Sequence, residues 1–241
     1  MFYWLLKHLL MGPLMRLCCR PKVIGTENLP VTGPAILASN HLAVADSFFL
    51  PLMMRRRVTF LAKREYFTGR GLKGALKRRF FTAAGQVPLD RSGGSAAQAA
   101  LDTGVRLLGE GKLLGIYPEG TRSPDGRLYK GKTGIARMAL ESGAPVIPVV
   151  MVGTDKVNPI GSKIWWPHPV EIRFGSPLDF SRYAGLAGDR FVERSIVDEI
   201  IYSLMELSGQ EYVDRYAASV KQAETNGAVE PPTESTELRA S

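Results

Sequence analysis

The chain has 241 residues, 45% of them apolar, which is enough to bury one full core within the single-domain size range. Its formal net charge of +8 favours an anionic partner: nucleic acid, an acidic membrane or a phosphorylated substrate. The two cysteines, Cys18 and Cys19, are adjacent, which suits neither a disulfide framework nor a zinc site. The sequence therefore predicts no metal site and indicates a reducing, cytosolic setting.

Residues 1–20 are strongly apolar, but charged residues and a proline interrupt them, so they fall short of the about 20 clean residues that a membrane span needs. No secretory signal is predicted, because no cleavage site follows. One straight helix would place Lys7 and Arg16 half a turn out of phase. We expect two short helices instead, with Gly12 ending the first and Pro13 opening the second, as an apolar hairpin in the membrane interface. The alternative is a terminal helix packed on the domain's own core.

Residues 21–220 alternate short apolar runs with helical periods, which predicts one α/β domain with a largely parallel mixed sheet flanked by helices. The predicted strands are residues 35–39, 58–62, 112–117 and 146–152, a short strand in QVPLDR and a late strand within 170–180. The predicted helices are residues 46–54, 72–81, 95–109, 133–142 and 189–207. Residues 221–241 are polar and without periodicity, so we expect a disordered tail.

The run NHLAVAD places His41 directly after a buried strand, where sites form in open α/β sheets. Asp46 lies five residues further on, and a turn between strand and helix would fold its carboxylate back to the imidazole. The carboxylate would then fix the tautomer, leaving the other ring nitrogen to remove a proton from a substrate hydroxyl. Alone, this spacing is a weak signal that also arises by chance.

The run YPEGTRS also follows a buried strand and is rich in turn residues. Arg122 offers a planar fork of donors for a phosphate, and Thr121 and the turn N–H groups would add further bonds. Glu119 would repel an anion unless it pairs with an arginine or holds the loop, so we expect it to organise the loop. The alternative is an ordinary turn with surface charges.

Two further stretches contain candidate anion-binding residues. Arg91 follows the short strand in QVPLDR and enters a glycine-rich stretch, which makes it a second phosphate candidate. Residues 55–79 contain ten basic residues and one acidic residue, suited to an anionic leaflet or to nucleic-acid phosphates. We favour the membrane and expect no nucleic-acid partner, because an apolar N-terminal segment accompanies this stretch and no recognition motif appears.

One competing motif is GRLYKGKT, residues 126–133, which matches the phosphate-loop pattern of nucleotide-binding proteins. A true phosphate loop begins directly after a strand, whereas Gly126 follows the turn-like TRSPD. We therefore disfavour nucleotide hydrolysis, although Lys130 and Lys132 could still face an anionic substrate.

Taken together, NHLAVAD, QVPLDR, YPEGTRS and VIPV resemble the four sequence blocks of the glycerolipid acyltransferase family, over residues 23 to about 180. The resemblance implies that His41 is the general base and Asp46 its orienting partner. It also matches Glu119, Gly120 and Arg122 to the acceptor-binding block, with Arg122 contacting the phosphate. Arg91 matches the arginine of the Pro-x-x-Arg block, and Lys63, in LAKREYF, resembles a family lysine that also reaches the phosphate. The chain departs from the family at Ala43, where serine is frequent, and at Tyr117, where phenylalanine is usual.

The implied reaction transfers an acyl group from acyl-CoA or acyl-carrier protein to lysophosphatidic acid, giving phosphatidic acid without an acyl-enzyme or a cofactor. The implied location is a membrane surface, peripheral or monotopic on the cytoplasmic face, with anionic phospholipids as partners. Glycerol 3-phosphate or another lysolipid remains open as the acceptor. A non-catalytic peripheral membrane protein is the alternative from another class.

Overall fold

The central feature of the computed structural model, which describes residues 2–63, 67–83, 85–89 and 96–226, is one seven-stranded sheet. Its strand order is β1-β8-β7-β2-β5-β3-β4, and all neighbours are parallel except β7 and β8. These strands are β1 (Lys22–Ile24), β2 (Ala35–Ser39), β3 (Val58–Lys63), β4 (Gln86–Leu89), β5 (Leu113–Ile116), β7 (Val146–Val152) and β8 (Glu171–Phe174). A separate parallel pair joins β6 (Leu128–Tyr129) to β9 (Tyr212–Val213). The predicted α/β class with a largely parallel mixed sheet is confirmed.

Helices cover both faces of the sheet. They are α1 (Phe2–Leu5), α2 (Met11–Cys19), α3 (Asp46–Met53), α4 (Gly71–Ala83), α5 (Ala96–Gly109), α6 (Gly134–Ser142), α7 (Thr154–Val157), α8 (Arg190–Ser208) and α9 (Ala217–Thr225). The central strand β2 shows the layering: Ala35 and Leu37 belong to the core that contains α2 and α3, whereas Ile36 and Ala38 belong to the core that contains α5, α6 and α8. Since neighbouring residues of a strand point to opposite faces, β2 is buried on both and has no polar side until Ser39.

The N-terminal segment does not form the predicted hairpin. A π-helical turn, Leu6–Leu10, joins α1 to α2, and α2 continues through Gly12 and Pro13. Pro13 is the third residue of α2, where its missing N–H costs little. A Cβ on Gly12 would lie 1.8 Å from the carbonyl oxygen of Lys7, so Gly12 permits the close approach of the wide turn rather than ending a helix.

One face of this segment packs on the domain. Met15 and Cys19 join the core beneath α3, and the buried Lys7 ammonium donates a hydrogen bond to the carbonyl of Met54. Burial, and then the charge of Arg16, lower the pKa of Lys7. The opposite face leaves six large apolar side chains exposed: Trp4, Leu5, Leu9, Leu10, Leu14 and Leu17. Across the described ranges, no helix combines the length and apolar character needed to cross a bilayer.

Arg56 and Arg57, in the basic stretch 55–79, contact neighbouring parts of the domain. The Arg56 guanidinium donates to the carbonyls of Pro30, Gly33 and Gly111, joining three loops. Arg57 donates to Thr82 and lies 5.3 Å from the ring centroid of Tyr3. The described remainder of this stretch includes exposed arginines at positions 55, 70, 78 and 79.

The prediction of disorder from residue 221 is wrong for residues 221–225, which belong to α9. Tertiary contacts override the polar composition here: Ala217 is fully buried, and Lys221 donates to the carbonyl of Arg122. Residues 227–241 lie outside the described residues.

Gly115, in the middle of β5, allows two aromatic rings to lie close to the strand. A Cβ at this position would lie 2.4 Å from Cε1 of Phe60, and the Phe60 ring stacks on Tyr117 at a centroid distance of 5.6 Å. We expect Gly115→Ala to lower the free energy of unfolding by about 1–3 kcal/mol, because the confined ring cannot move without strain. Chemical denaturation measures this change.

Gly109→Ala is the matched control, because a Cβ at the end of α5 meets no atom within 4 Å. We expect Gly109→Ala to leave the stability unchanged or slightly raised. Equal stabilities of the two variants would contradict the proposed packing.

Candidate active site

The site lies at the carboxyl ends of three neighbouring parallel strands. In the sheet, β7, β2 and β5 lie side by side. His41 lies just beyond the carboxyl end of β2, Tyr117 beyond that of β5, and Gly153 beyond that of β7. Loops at this edge of an open α/β sheet commonly form binding sites, because neighbouring strands deliver them to one place. Two predicted site loops, NHLAVAD and YPEGTRS, are thus brought together by the pairing of β2 with β5.

The turn between β2 and α3 folds Asp46 back to His41, as the sequence predicted. The Nδ1 of His41 lies 2.9 Å from Oδ2 of Asp46, and the same oxygen accepts the N–H groups of Leu42 at 2.7 Å and Ala43 at 2.9 Å. Asp46 is fully buried, while the His41 side chain keeps 16% exposure. Because a carboxylate only accepts, the imidazole proton belongs on Nδ1, which leaves Nε2 with a free lone pair.

An aromatic ring supports the imidazole. Tyr117 stacks on His41 with ring centroids 3.8 Å apart and planes 10° apart, and its hydroxyl lies 3.0 Å from Oγ of Ser47 in α3. Burial, and then the charge of Asp46, raise the pKa of the Tyr117 hydroxyl well above its ordinary value. Tyr117 therefore stays neutral and fixes the plane of the imidazole, a role that its departure from the usual phenylalanine does not disturb.

Glu119 joins the two site loops through the backbone. Its Oε1 accepts the N–H of His41 at 3.2 Å, and its Oε2 accepts the N–H of Tyr129 at 3.0 Å. Only 1% of Glu119 is exposed. The N–H of Ser123 donates to the carbonyl of His41 at 2.7 Å, closing a second link. The position of Glu119 is that of a loop organiser, with no arginine as its partner among the described side chains.

A cationic cluster surrounds residues 120–122. Gly120 has φ +74°, and a Cβ there would lie 2.9 Å from the Lys132 side chain, so glycine lets the lysine lie against the loop. Lys221 donates to the carbonyl of Arg122 and, at 3.3 Å, to Oγ1 of Thr121. Burial and then the charge of Arg122 lower the pKa of Lys221. Lys132 and Lys221 thus both contact residues 120–122, and no described carboxylate pairs with the Arg122 guanidinium, which leaves its donors available to an anion.

The phosphate-loop letters of residues 126–133 do not form a phosphate loop. They contain β6, and the backbone N–H groups of Leu128, Tyr129, Lys130 and Lys132 donate to Glu211, Glu119, Arg215 and Pro118. A phosphate loop needs these groups free to cradle the anion. Lys130 pairs with Asp214 at 2.9 Å. Of the two lysines considered from the sequence, only Lys132 joins the cationic cluster.

Two predicted phosphate contacts remain predictions. Arg91 lies outside the described residues. Lys63 is the last residue of β3, at the same edge of the sheet as His41, but its side chain lies outside what the structure describes.

Two residues of the site were missed from the sequence. The buried Asn40 side chain accepts the N–H of Met151, and donates to its carbonyl and to Gln210, which fixes the end of β2 against β7. A polar residue directly ahead of His41, at the end of an apolar strand, was a usable signal. Lys221 had no local signal, because it lies in a polar segment almost 100 residues from the loop that it contacts.

This fold and site belong to a known class. The profile of the Acyltransferase family matches residues 20–152, more than half of the chain, so the chain belongs to that family. The match covers His41, Asp46, Arg122 and Lys132, but not Lys221 in α9.

Individual proteins of this family are similar to the chain over most of its length. The chain is 31% identical to a 1-acyl-sn-glycerol-3-phosphate acyltransferase of Limnanthes douglasii over 66% of this chain and 54% of that protein. It is 28% identical to one of Bacillus subtilis, over 68% and 77%. The chain spans about half the length of the plant relatives it matches. The crystal structure of the 1-acyl-sn-glycerophosphate (LPA) acyltransferase PlsC from Thermotoga maritima superposes with a TM-score of 0.57 at 28% identity, covering 76% of this chain and 71% of that one.

The buried Glu119 carboxyl gives the fold a pH dependence. Burial, and to a lesser degree the charge of Asp46, raise its pKa from 4.5 to about 7, although the N–H groups of Tyr129 and His41 and the Lys221 ammonium oppose the rise. The folded chain therefore holds this proton more tightly than the unfolded chain, so stability falls as the pH rises from about 4.5 to about 7. We expect the stability of the wild type relative to Glu119→Gln to fall by on the order of 2–3 kcal/mol between pH 5 and pH 8.

Chemical denaturation at the two pH values measures this difference, with Glu27→Gln, an exposed carboxylate, as the control. The same pH dependence in the wild type and in Glu119→Gln would show that Glu119 titrates normally.

Proposed function

We propose that this protein transfers a fatty acyl group from an acyl thioester to the free hydroxyl of a 1-acylglycerol 3-phosphate at a membrane surface, giving phosphatidic acid. The observation that carries the proposal is the hydrogen bond between His41 and Asp46 on a loop that Glu119 joins to the cationic cluster. A general base beside an anion site suits an alcohol that carries a phosphate. The names of the relatives support the same acceptor.

The proposed reaction is one direct displacement. Nε2 of His41 takes the proton of the acceptor hydroxyl while the hydroxyl oxygen attacks the thioester carbonyl carbon, forming a C–O bond. The tetrahedral intermediate then breaks its C–S bond, and the thiolate takes the proton back from the imidazolium. Asp46 stabilises the imidazolium through Nδ1 and keeps Nε2 unprotonated at the start. No cofactor is needed beyond the acyl donor, either acyl-CoA or acyl-carrier protein.

The acceptor phosphate supplies the positioning. We assign its binding to the Arg122 guanidinium with Lys132 and Lys221 nearby, and to Arg91 and Lys63 on the sequence resemblance. Arginine binds a phosphate with two parallel hydrogen bonds, which orients as well as attracts it. Holding the hydroxyl against Nε2 and the thioester makes attack effectively unimolecular. These contacts do not distinguish lysophosphatidic acid from glycerol 3-phosphate, so glycerol 3-phosphate stays open as the acceptor.

Membrane attachment through the N-terminal segment is supported by the six exposed apolar side chains of residues 4–17. Met15 and Cys19, on the opposite side of the segment, are buried against the domain, so the segment lies on the protein and exposes one apolar face. Such a face suits the interface of a bilayer, and the exposed arginines of residues 55–79 favour its anionic, cytoplasmic leaflet.

His41→Ala tests the general base. We expect acylation to fall by about 10²–10⁴-fold, since a positioned base contributes that much, while the chain stays folded. Asp46→Asn should also lower the turnover number, because it removes the acceptor that fixes the imidazole proton. The measurement is thiol release from acyl-CoA with lysophosphatidic acid in detergent micelles.

His168→Ala serves as the matched histidine control, because His168 bonds only the neighbouring Pro169 carbonyl among the described residues. A loss of less than tenfold in folded His41→Ala would refute the base assignment. Vesicle binding without any thiol release by the wild type would favour the non-catalytic alternative.

Arg122→Ala tests the phosphate contact. Losing a charge-assisted hydrogen-bond pair costs about 1.5–3 kcal/mol, so we expect the KM for lysophosphatidic acid to rise about tenfold or more. The KM for the acyl donor should not change. Arg137→Ala is the control, because Arg137 pairs with Glu141 on α6. An increase in the donor KM alone would instead place Arg122 at the donor.

A further inference from the structure

A second exposed apolar surface lies in the loop between α7 and β8. Ile160, Ile164, Trp165 and Trp166 are exposed within seven residues, and Ile164 and Trp166 expose 62% and 57% of their surface. We call residues 160–166 the tryptophan loop. Exposing so much apolar surface on one loop is unfavourable in water unless a partner covers it.

The tryptophan loop is held by its own hydrogen bonds. The Ser162 hydroxyl donates to the carbonyl of Ile164 at 3.0 Å and accepts its N–H at 3.1 Å, and the Asn158 amide donates to the carbonyl of Ser162. The Trp166 N–H donates to the carbonyl of Val157 at 2.8 Å. The apolar side chains are therefore presented by a structured loop and do not depend on a partner for their backbone order.

Helix α3 connects this loop to the site. The Trp165 ring meets the Phe48 ring edge-on at a centroid distance of 5.4 Å, and Phe48 lies two residues after Asp46. Val44, inside the turn that joins His41 to Asp46, is 43% exposed. The apolar N-terminal segment also packs on α3. Both exposed apolar surfaces thus rest on the helix that carries half of the catalytic pair.

The chemistry of the loop selects a lipid surface as its partner. Residues 156–170 contain Lys156, Lys163 and His168 and no acidic residue. Tryptophan places its apolar ring and its N–H donor at the boundary between lipid tails and headgroups, and lysines flank such positions on anionic bilayers. A covering protein would need apolar area of its own, whereas a bilayer accommodates an isolated protruding loop.

We propose that the tryptophan loop inserts into the interface of an anionic phospholipid bilayer, as a second membrane contact beside α3. This inference rests on the proposed function, because it explains how a lipid acceptor reaches His41. With contacts at the N-terminal segment and at this loop, the protein would have one fixed orientation on the membrane. Acyl chains would then approach the catalytic pair along apolar side chains.

Tryptophan fluorescence tests the contact without any assay of activity. The chain has three tryptophans, so Trp4→Phe leaves only Trp165 and Trp166 as reporters, and the double Trp165→Phe, Trp166→Phe variant leaves only Trp4. Each is titrated with phosphatidylglycerol vesicles whose acyl chains carry bromine. We expect a blue shift and quenching in both variants. Quenching of Trp4 with unchanged emission from Trp165 and Trp166 would overturn the proposal.

Binding measurements complete the test. We expect the double Trp165→Ser, Trp166→Ser variant to bind these vesicles at least about tenfold more weakly. The control is Phe191→Ser, which removes an aromatic residue from α8 that is more exposed than either tryptophan. Unchanged binding of the double variant would overturn the inference.

Acylation of a short-chain, water-soluble lysophosphatidate, measured without vesicles, separates this inference from the proposed function. We expect the Trp165→Ser, Trp166→Ser variant to retain the wild-type rate in that assay. A loss of that rate would place the tryptophans in the site itself and overturn the membrane role. Absence of that activity in the wild type would instead count against the proposed function, while the vesicle result would still decide the membrane contact.

Discussion

The buried carboxylate of Asp46 is the constraint on which the site depends. One oxygen, Oδ2, accepts the N–H groups of Leu42 and Ala43 and the Nδ1 proton of His41. The two backbone bonds shape the turn that starts α3, so the folding of this turn already sets the distance to the imidazole. A buried carboxylate is costly unless it is fully hydrogen-bonded. The other oxygen, Oδ1, has no partner among the described residues, which makes the three bonds to Oδ2 more important.

Glu119 connects this turn to the loop that follows the neighbouring strand β5. By accepting the N–H groups of His41 and Tyr129, it fixes the loop after β5 relative to the loop after β2. Arg122 lies three residues after Glu119, so the bonds of the Glu119 carboxyl to two backbone N–H groups fix the loop that carries Arg122 relative to His41. Preorganisation of this kind is what a reaction between two bound substrates requires. The cost is a carboxyl buried near Asp46, and its raised pKa expresses that cost.

Much of this arrangement could be predicted from the sequence, because the signals were local. The apolar runs AILAS and VIPVVMV predicted strands whose bounds the structure reproduces, and the alternation of such runs with helical periods predicted the largely parallel sheet. The five-residue spacing of His41 and Asp46 predicted their contact. Local signals failed where long-range contacts decide: Lys221 orders α9 by contacting Arg122, and Lys7 is buried because Met54 offers a carbonyl. The wide turn that replaces the hairpin likewise depends on packing against α3.

In the proposed reaction, His41 and Asp46 act on the acceptor hydroxyl itself. Rapid mixing of the enzyme with an equimolar amount of acyl-CoA, with and without lysophosphatidic acid, measures thiol release in a single turnover. The proposed reaction predicts that thiol appears only when the acceptor is present, because the hydroxyl oxygen is the nucleophile. Release of one equivalent of thiol without acceptor would reveal an acyl-enzyme and would contradict the proposed role of the pair.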